Sequence, residues 1–123
     1  MHSLLLIEDS SELRDLVGFC LDTWTVREAS SRLEAMGLLG DSKPDLILLD
    51  SQLDDGPSQL WFSQLRAAFD GPIVWFSGHA PGPELSGQIA GQILKPFDPT
   101  QLANQLEHIW GAHGSAGSRP KVG

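Results

Sequence analysis

Residues 45–50 read DLILLD, and this run is the strongest strand signal in the 123-residue sequence. Four consecutive apolar residues, 46–49, stand between two aspartates. A continuous apolar run is typical of a strand in a parallel sheet covered on both faces, because a half-exposed strand alternates apolar and polar residues. Residues 72–76, PIVWF, follow the same pattern, and Pro72 stands at the start, where its missing N–H is harmless. The sequence therefore predicts buried central strands.

Short apolar runs alternate with amphipathic stretches on both sides of this segment. Strands are predicted at residues 3–7, 23–29, 45–49, 72–76 and 92–94. Between and after them, helix starts are predicted after the caps at 9–11, at Ser31 with Glu34 as a capping box, at Pro57, and at Asp98 or Pro99. This alternation implies an α/β fold of the flavodoxin-like, doubly wound type. We expect five parallel strands in the order 2-1-3-4-5 with helices on both faces.

The first predicted helix carries an apolar stripe at helical spacing, and we expect it to face the core. Its members are Leu13, Leu16, Val17, Cys20 and Leu21. Cys20 is the only cysteine, so an internal disulfide is impossible. A buried, inert thiol is the preferred interpretation.

Two stretches break the alternation of strands and helices. Residues 77–91 contain two prolines and four glycines, which predicts a short or irregular fourth helix. From residue 112 the chain is rich in glycine and serine. We therefore expect one domain over residues 1–111 and a flexible tail, or the start of a linker, over 112–123.

Composition excludes several classes of function. The net charge is −8, and the sequence shows no basic stripe that could neutralise phosphates. Both features argue against direct binding to nucleic acid. No apolar run is long enough to span a bilayer, and the N-terminus lacks the basic flank of a signal peptide. These features predict a cytoplasmic globular domain.

Polar residues follow the predicted strands at positions where ligands bind in open α/β sheets. They are Glu8 and Asp9 after the first strand, Asp50 after the third, Ser77 after the fourth and Lys95 after the fifth. Converging carboxylates repel one another unless a cation lies among them, and oxygen ligands favour Mg²⁺. A lysine and a hydroxyl are suited to neutralise and hydrogen-bond a phosphoryl group. Asp50 ends the central strand and is the preferred nucleophile, which would form an aspartyl-phosphate.

At these positions the chain resembles the receiver domains of two-component response regulators. The matching motifs are LLIEDS at 5–10, DLILLD at 45–50, VWFSG at 74–78 and ILKPF at 93–97. The resemblance implies that Asp50 accepts a phosphoryl group from a histidine kinase or phosphotransfer protein. It also implies a switch in conformation that regulates a partner, and no enzymatic activity beyond the domain's own phosphorylation and dephosphorylation.

The resemblance also implies a role for each site residue. Asp9 and Asp50 would bind Mg²⁺ through their carboxylates, Gln52 through its backbone carbonyl and Glu8 through water. Ser77 would hydrogen-bond the phosphoryl oxygen and move towards it on activation, while Lys95 would pair with the phosphate.

Three departures from the family pattern concern the steps after phosphorylation. Gln92 replaces the ring that the family usually carries three positions before the lysine. The segment 78–91 is shorter than usual. The sequence therefore does not determine which surface transmits the signal, or which surface a possible homodimer would use. His79 occupies a position that influences phosphate lifetime in the family, with an exposed loop residue as the equal alternative.

Three other functions compete with this interpretation. A phosphohydrolase of the haloacid dehalogenase type needs a D-x-D pair after the first strand, and an FMN carrier needs a Ser/Thr/Gly-rich loop there; Glu8 and Asp9 fit neither. A receiver-like interaction module that does not depend on phosphorylation is the remaining alternative. The cognate kinase, the downstream target, and whether the chain acts alone or within a longer regulator are left open by the sequence.

Overall fold

The computed structural model describes residues 2–53 and 55–122, with side chains for residues 2–53 and 55–112. Its main sheet has five parallel strands: β1 (His2–Ile7), β2 (Trp24–Ala29), β3 (Leu46–Asp50), β4 (Ile73–Ser77) and β5 (Gly91–Leu94). Their order is β2-β1-β3-β4-β5, which confirms the predicted topology. The predicted tail, 112–123, lies almost wholly outside the described side chains.

Helices cover both faces of this sheet, as predicted. They are α1 (Ser11–Cys20), α2 (Arg32–Asp41), α3 (Phe62–Ala68), α4 (Pro83–Ser86) and α5 (Leu102–Val122). α2 and α3 pack with one set of strand side chains, which includes Ile7, Ile47 and Leu49. α1 and α5 pack with the alternate set, which includes Leu6 and Leu48. Buried residues on both faces explain why the central strands are continuously apolar.

Two of the predicted helix caps are present in the structure. The Ser10 hydroxyl accepts a hydrogen bond from the Leu13 amide at 3.2 Å, and the Ser31 hydroxyl accepts one from the Glu34 amide at 3.2 Å. The Glu34 carboxylate accepts from the Ser30 amide, which completes the cap one residue earlier than a standard capping box. These caps fix where α1 and α2 begin, and therefore how the loops after β1 and β2 run.

Two predicted helix starts were wrong. Pro57 lies in a two-residue antiparallel pairing of Gln52–Leu53 with Gly56–Pro57, and a 3₁₀ turn at Ser58–Leu60 precedes α3. Asp98 does not begin α5; its carboxylate accepts hydrogen bonds from Thr100 and forms a separate turn. In both places a local side-chain or turn conformation competes with the helix. Both α3 and α5 therefore begin later in the sequence than the residue types suggested.

Part of the predicted stripe on α1 was also wrong. Val17 and Leu21 are buried, whereas Leu16 is exposed and Cys20 is only half-buried. α1 shares its side of the sheet with α5, but Leu16 lies outside the buried cluster and lines an open groove beside Phe97. The predicted short fourth helix is confirmed, since α4 has four residues. Within the described residues, no helix combines the length and apolar character needed to cross a membrane.

Gly56 is the one position where backbone conformation demands glycine among the described residues, with φ of 121°. A side chain is strained at this angle even though no atom lies within 4 Å of the Cβ that an alanine would add. We expect Gly56→Ala to lower the free energy of unfolding by about 1–2 kcal/mol. Urea denaturation checks this, with Gly37→Ala in α2 as the matched control, because its added Cβ also meets no atom within 4 Å. Gly37→Ala should raise stability slightly, because alanine favours a helix interior over glycine. A gain in Gly56→Ala like that of the control would contradict the assigned backbone angle.

Candidate functional site

The sheet brings the predicted site residues together at the carboxyl ends of its strands. Ile7 pairs with Leu49, so Glu8 and Asp50 follow on adjacent strands. Asp50 in turn pairs with Phe76, and Ser77 pairs with Leu94, immediately before Lys95. The register of four parallel strands thus converts four distant stretches of sequence into one site.

Three carboxylates form the centre of this site. Glu8, Asp9 and Asp50 each offer an oxygen, and these oxygens all lie within 4.8 Å of one another. Glu8 and Asp50 are 1% and 5% exposed, while Asp9 is half-buried. Carboxylates held this close favour a positive charge between or beside them.

Lys95 supplies one such charge. Its Nζ donates to Glu8 Oε1 at 2.9 Å and to Asp50 Oδ1 at 3.1 Å, and it lies 4.5 Å from the centre of the Phe76 ring. Partial burial by itself would lower the pKa of the Lys95 ammonium, but hydrogen bonds and charges from Glu8 and Asp50 together outweigh it and raise the pKa above its ordinary value. Lys95 is therefore charged at neutral pH.

Backbone contacts hold the two buried carboxylates in place. The Glu8 amide donates to the Ala29 carbonyl at 2.9 Å, and Arg14 donates to the Glu8 carbonyl at 2.7 Å. The Asp50 carbonyl accepts from the buried Ser58 hydroxyl. These bonds fix the strand ends, so the site is preorganised by the fold.

Asp50 receives two hydrogen bonds on the same oxygen. Oδ1 accepts from Lys95 Nζ and, at 3.3 Å, from the Gln52 amide. The predicted use of the Gln52 carbonyl as a metal ligand stays a prediction. Among the described residues, both of these hydrogen bonds end on Oδ1 and none is recorded on Asp50 Oδ2. Oδ2 is therefore the less encumbered oxygen of the carboxylate.

Ser77 lies at the end of β4, and its hydroxyl is held by residues of two loops. It accepts from the Ser51 hydroxyl at 2.7 Å and from the His79 amide at 3.1 Å. These bonds direct it onto Ser51 and His79 rather than onto Asp50. A polar cavity of about 200 Å³ adjoins this arrangement and is lined by Ser51, Ser77 and His79, among others.

The donor set fits Mg²⁺. Three carboxylates provide oxygen ligands only, which suits a hard divalent cation and disfavours zinc or copper. The cluster also carries two more negative charges than Lys95 neutralises, so a divalent cation would balance it.

Comparison with known proteins agrees with this geometry. The profile of the response regulator receiver domain family matches residues 4–107. This chain belongs to the response regulator receiver domain family.

A curated protein with a similar sequence is a transcriptional regulator. The phosphate regulon transcriptional regulatory protein PhoB of Pseudomonas aeruginosa is 27% identical over an alignment 132 residues long with its gaps, which covers 98% of this chain and 56% of PhoB. The receiver thus spans about half the length of this curated relative. Receiver domains are signalling modules.

Solved structures of similar proteins share its fold. The chemotaxis response regulator CheY4 of Vibrio cholerae is 22% identical, with a TM-score of 0.76 over 89% of this chain and 98% of CheY4. NtrX of Brucella abortus is also 22% identical, with a TM-score of 0.82 over 98% of this chain and 30% of NtrX. At these identities the likeness shows the receiver fold alone.

Three residues of the receiver's site were missed by sequence reasoning. Ser51 contacts Ser77, Ser58 holds the Asp50 carbonyl, and Arg14 holds the Glu8 carbonyl. Arg14 on α1 and the two serines in a polar loop have the composition of ordinary surface positions. Only their position next to a strand end could have marked them. That position depends on the turn after β1 for Arg14 and on the turn after β3 for the two serines.

The surface beside Lys95 is apolar. A groove of about 410 Å³ is lined by Leu13, Leu16, Lys95, Pro96 and Phe97. Phe19, on the same helix as the two leucines, is 85% exposed. The receiver therefore presents the apolar side chains of this groove directly beside Lys95.

The departures from the family pattern have the following positions. Gln92 lies in β5 opposite Trp75, half-buried, and borders a groove between β5 and α5. His79 is exposed, in agreement with the loop alternative, while its backbone contacts Ser77 and Trp75. An influence of its side chain on phosphate lifetime stays a prediction.

Proposed function

We propose that this receiver accepts a phosphoryl group on Asp50 from the phosphohistidine of a histidine kinase or phosphotransfer protein, with Mg²⁺, and changes conformation to regulate a partner. The observation that carries the proposal is the state of the Asp50 carboxylate. It ends the central strand, Lys95 and the Gln52 amide bind its Oδ1, and two further carboxylates lie close by. A carboxylate with one oxygen held and one free is oriented for nucleophilic attack.

In the transfer, Asp50 Oδ2 forms a bond to phosphorus as the phosphorus–nitrogen bond of the donor histidine breaks. Asp9, Asp50 and the Gln52 carbonyl would hold Mg²⁺, with Glu8 through water, and the cation neutralises phosphoryl oxygens when bound. Lys95 already lies 3.1 Å from Asp50, so it can pair with the arriving phosphoryl group by a small movement. Burial strengthens each of these charge interactions.

Switching follows from competition for Lys95 and Ser77. A phosphoryl group offers new acceptors to the Lys95 ammonium, now on Glu8 and Asp50, and to the Ser77 hydroxyl, now on Ser51 and His79. The arrangement in which both groups face the phosphate is enriched because the phosphate binds it better. The loop after β4 moves with Ser77, and this motion is the signal.

The partners are proposed by their chemistry. The apolar groove of Leu13, Leu16 and Phe97 beside Lys95 suits a protein donor whose histidine must reach Asp50. The net charge of −8 opposes direct binding to nucleic acid. We also propose that the protein acts in the cytoplasm on a downstream protein target. A homodimer is a further proposed assembly.

Tryptophan fluorescence tests the proposal. The Trp75 indole donates to the His79 carbonyl at 3.2 Å, so Trp75 reports on the loop that Ser77 would move. We expect beryllofluoride, a stable mimic of the phosphoryl group, to produce a saturable change that requires Mg²⁺. Trp75→Phe identifies the reporter among the four tryptophans. No response to beryllofluoride, together with no phosphoryl adduct after acetyl phosphate, would favour the interaction module that does not depend on phosphorylation.

A further inference from the structure

Ser51 follows the proposed phosphoacceptor directly, and its backbone is fixed on both sides. Its amide donates to the Phe76 carbonyl at 3.3 Å, and its carbonyl accepts from the Ser58 amide at 2.8 Å. The first bond ties Ser51 to β4 and the second ties it to the 3₁₀ turn before α3. The Ser51 hydroxyl therefore projects from an anchored segment of backbone.

The Ser77 hydroxyl rests on this anchored hydroxyl. The distance of 2.7 Å between the two oxygens is the usual one for a hydroxyl–hydroxyl bond, and the pair is partly buried. The His79 amide supplies a second bond to Ser77 at 3.1 Å. In the proposed switch the His79 amide would move with Ser77, since both lie in the same loop, whereas Ser51 belongs to the anchored segment after β3.

We infer that Ser51 is a positioning residue that holds the Ser77 hydroxyl in its resting place and so opposes the switch. The inference rests on the proposed function, because it concerns the movement of Ser77 towards a phosphoryl group on Asp50. Formation of the active arrangement breaks the Ser51–Ser77 hydrogen bond, while bonds within the moving loop are able to follow. The Ser51 bond consequently lowers the affinity for a phosphoryl group relative to a receiver without it.

Removal of this hydroxyl should make activation easier. We expect Ser51→Ala to bind beryllofluoride about fivefold more tightly in Mg²⁺, since one hydrogen bond contributes about 1 kcal/mol and a tenfold change corresponds to about 1.4 kcal/mol. Mg²⁺ affinity should be unchanged, because the hydroxyl of Ser51 contacts Ser77 and not the carboxylates. A general structural defect would instead weaken the binding of both Mg²⁺ and beryllofluoride.

The experiment is a fluorescence titration with Mg²⁺ alone and then with beryllofluoride at saturating Mg²⁺. Ser51→Thr, which keeps a hydroxyl, should bind like the original protein. Ser63→Ala, on the exposed side of α3, is the control for a serine remote from the site. In a Ser77→Ala background, Ser51→Ala should have no effect on beryllofluoride affinity, because the bond it would remove is already absent.

The outcomes separate the two claims. Tighter beryllofluoride binding by Ser51→Ala, abolished in the Ser77→Ala background, supports the positioning role. Equal or weaker binding by Ser51→Ala, with normal binding by the original protein, overturns that role and leaves the proposed function intact. Failure of the original protein to bind beryllofluoride overturns the proposed function, and the positioning role with it.

Discussion

Asp50→Asn is expected to abolish phosphorylation by acetyl phosphate completely. The substitution keeps the shape of the side chain and its place at the end of β3, but an amide oxygen is a far weaker nucleophile than a carboxylate. Glu8 remains in the cluster and does not replace it, because Lys95 Nζ and the Ser10 amide already bind its two oxygens. Intact mass spectrometry after acetyl phosphate treatment in Mg²⁺ measures the result as the fraction of chains with one added phosphoryl group.

Asp70→Asn is the matched control for this prediction, since Asp70 is exposed in the turn between α3 and β4, next to the start of β4 and not to its carboxyl end. It should be phosphorylated as fully as the original protein. Loss of stability should not complicate the comparison, because Asp50→Asn removes one of three mutually repelling charges. An adduct of equal yield in Asp50→Asn would contradict the assignment and move the acceptor to another carboxylate.

The predictable part of the structure follows from apolar runs that end in polar residues. Runs such as 46–49 and 72–76 have no other stable place than the centre of a covered sheet, so their ends, and therefore Asp50 and Ser77, are fixed by burial. Parallel strands share one carboxyl edge, and this geometry alone brings Glu8 and Lys95 to Asp50. Topology and site were predictable together because the same strands determine both.

The parts that were missed depend on turns and on helix packing. The pairing of Ser51 with Ser77 depends on the course of the loop after β3, where Gly56 takes a positive φ. The exposure of Leu16 depends on which side of α1 the neighbouring segments cover, and a periodic pattern on one helix carries no information about its neighbours. Such features arise from contacts between segments, whereas strand and helix patterns arise within a segment.

Lys95→Met is expected to lower the free energy of unfolding by about 2 kcal/mol in buffer that contains a chelator. Methionine keeps the length and apolar stem of the side chain but leaves Glu8 and Asp50 buried without their cation. Breaking a fully buried pair costs about 3–5 kcal/mol and breaking an exposed pair costs less than about 1 kcal/mol. Lys95 has a side chain that is 23% exposed while its partners are buried, so an intermediate loss is expected.

Mg²⁺ should reverse most of this loss. The divalent cation replaces the missing positive charge among the same carboxylates, and a ligand that binds only the folded state stabilises it. Urea denaturation in chelator and in saturating Mg²⁺ measures both effects. Lys43→Met is the matched control, because the Lys43 ammonium donates to the Leu39 carbonyl at the opposite end of the sheet. The free energy of unfolding of Lys43→Met should differ little from that of the original protein, and by the same amount in both buffers.

The comparison of the two buffers distinguishes the electrostatic explanation from a packing defect. If Lys95 mainly filled space over the Phe76 ring, methionine would fill it too, and any loss would be the same with and without Mg²⁺. If Lys95 mainly balances charge, the loss appears in chelator and shrinks when Mg²⁺ is bound. Equal stability of Lys95→Met and the original protein in chelator would mean that water at the site already screens Glu8 from Asp50. In that case Lys95 would be free to leave the carboxylates for a phosphoryl group at almost no cost.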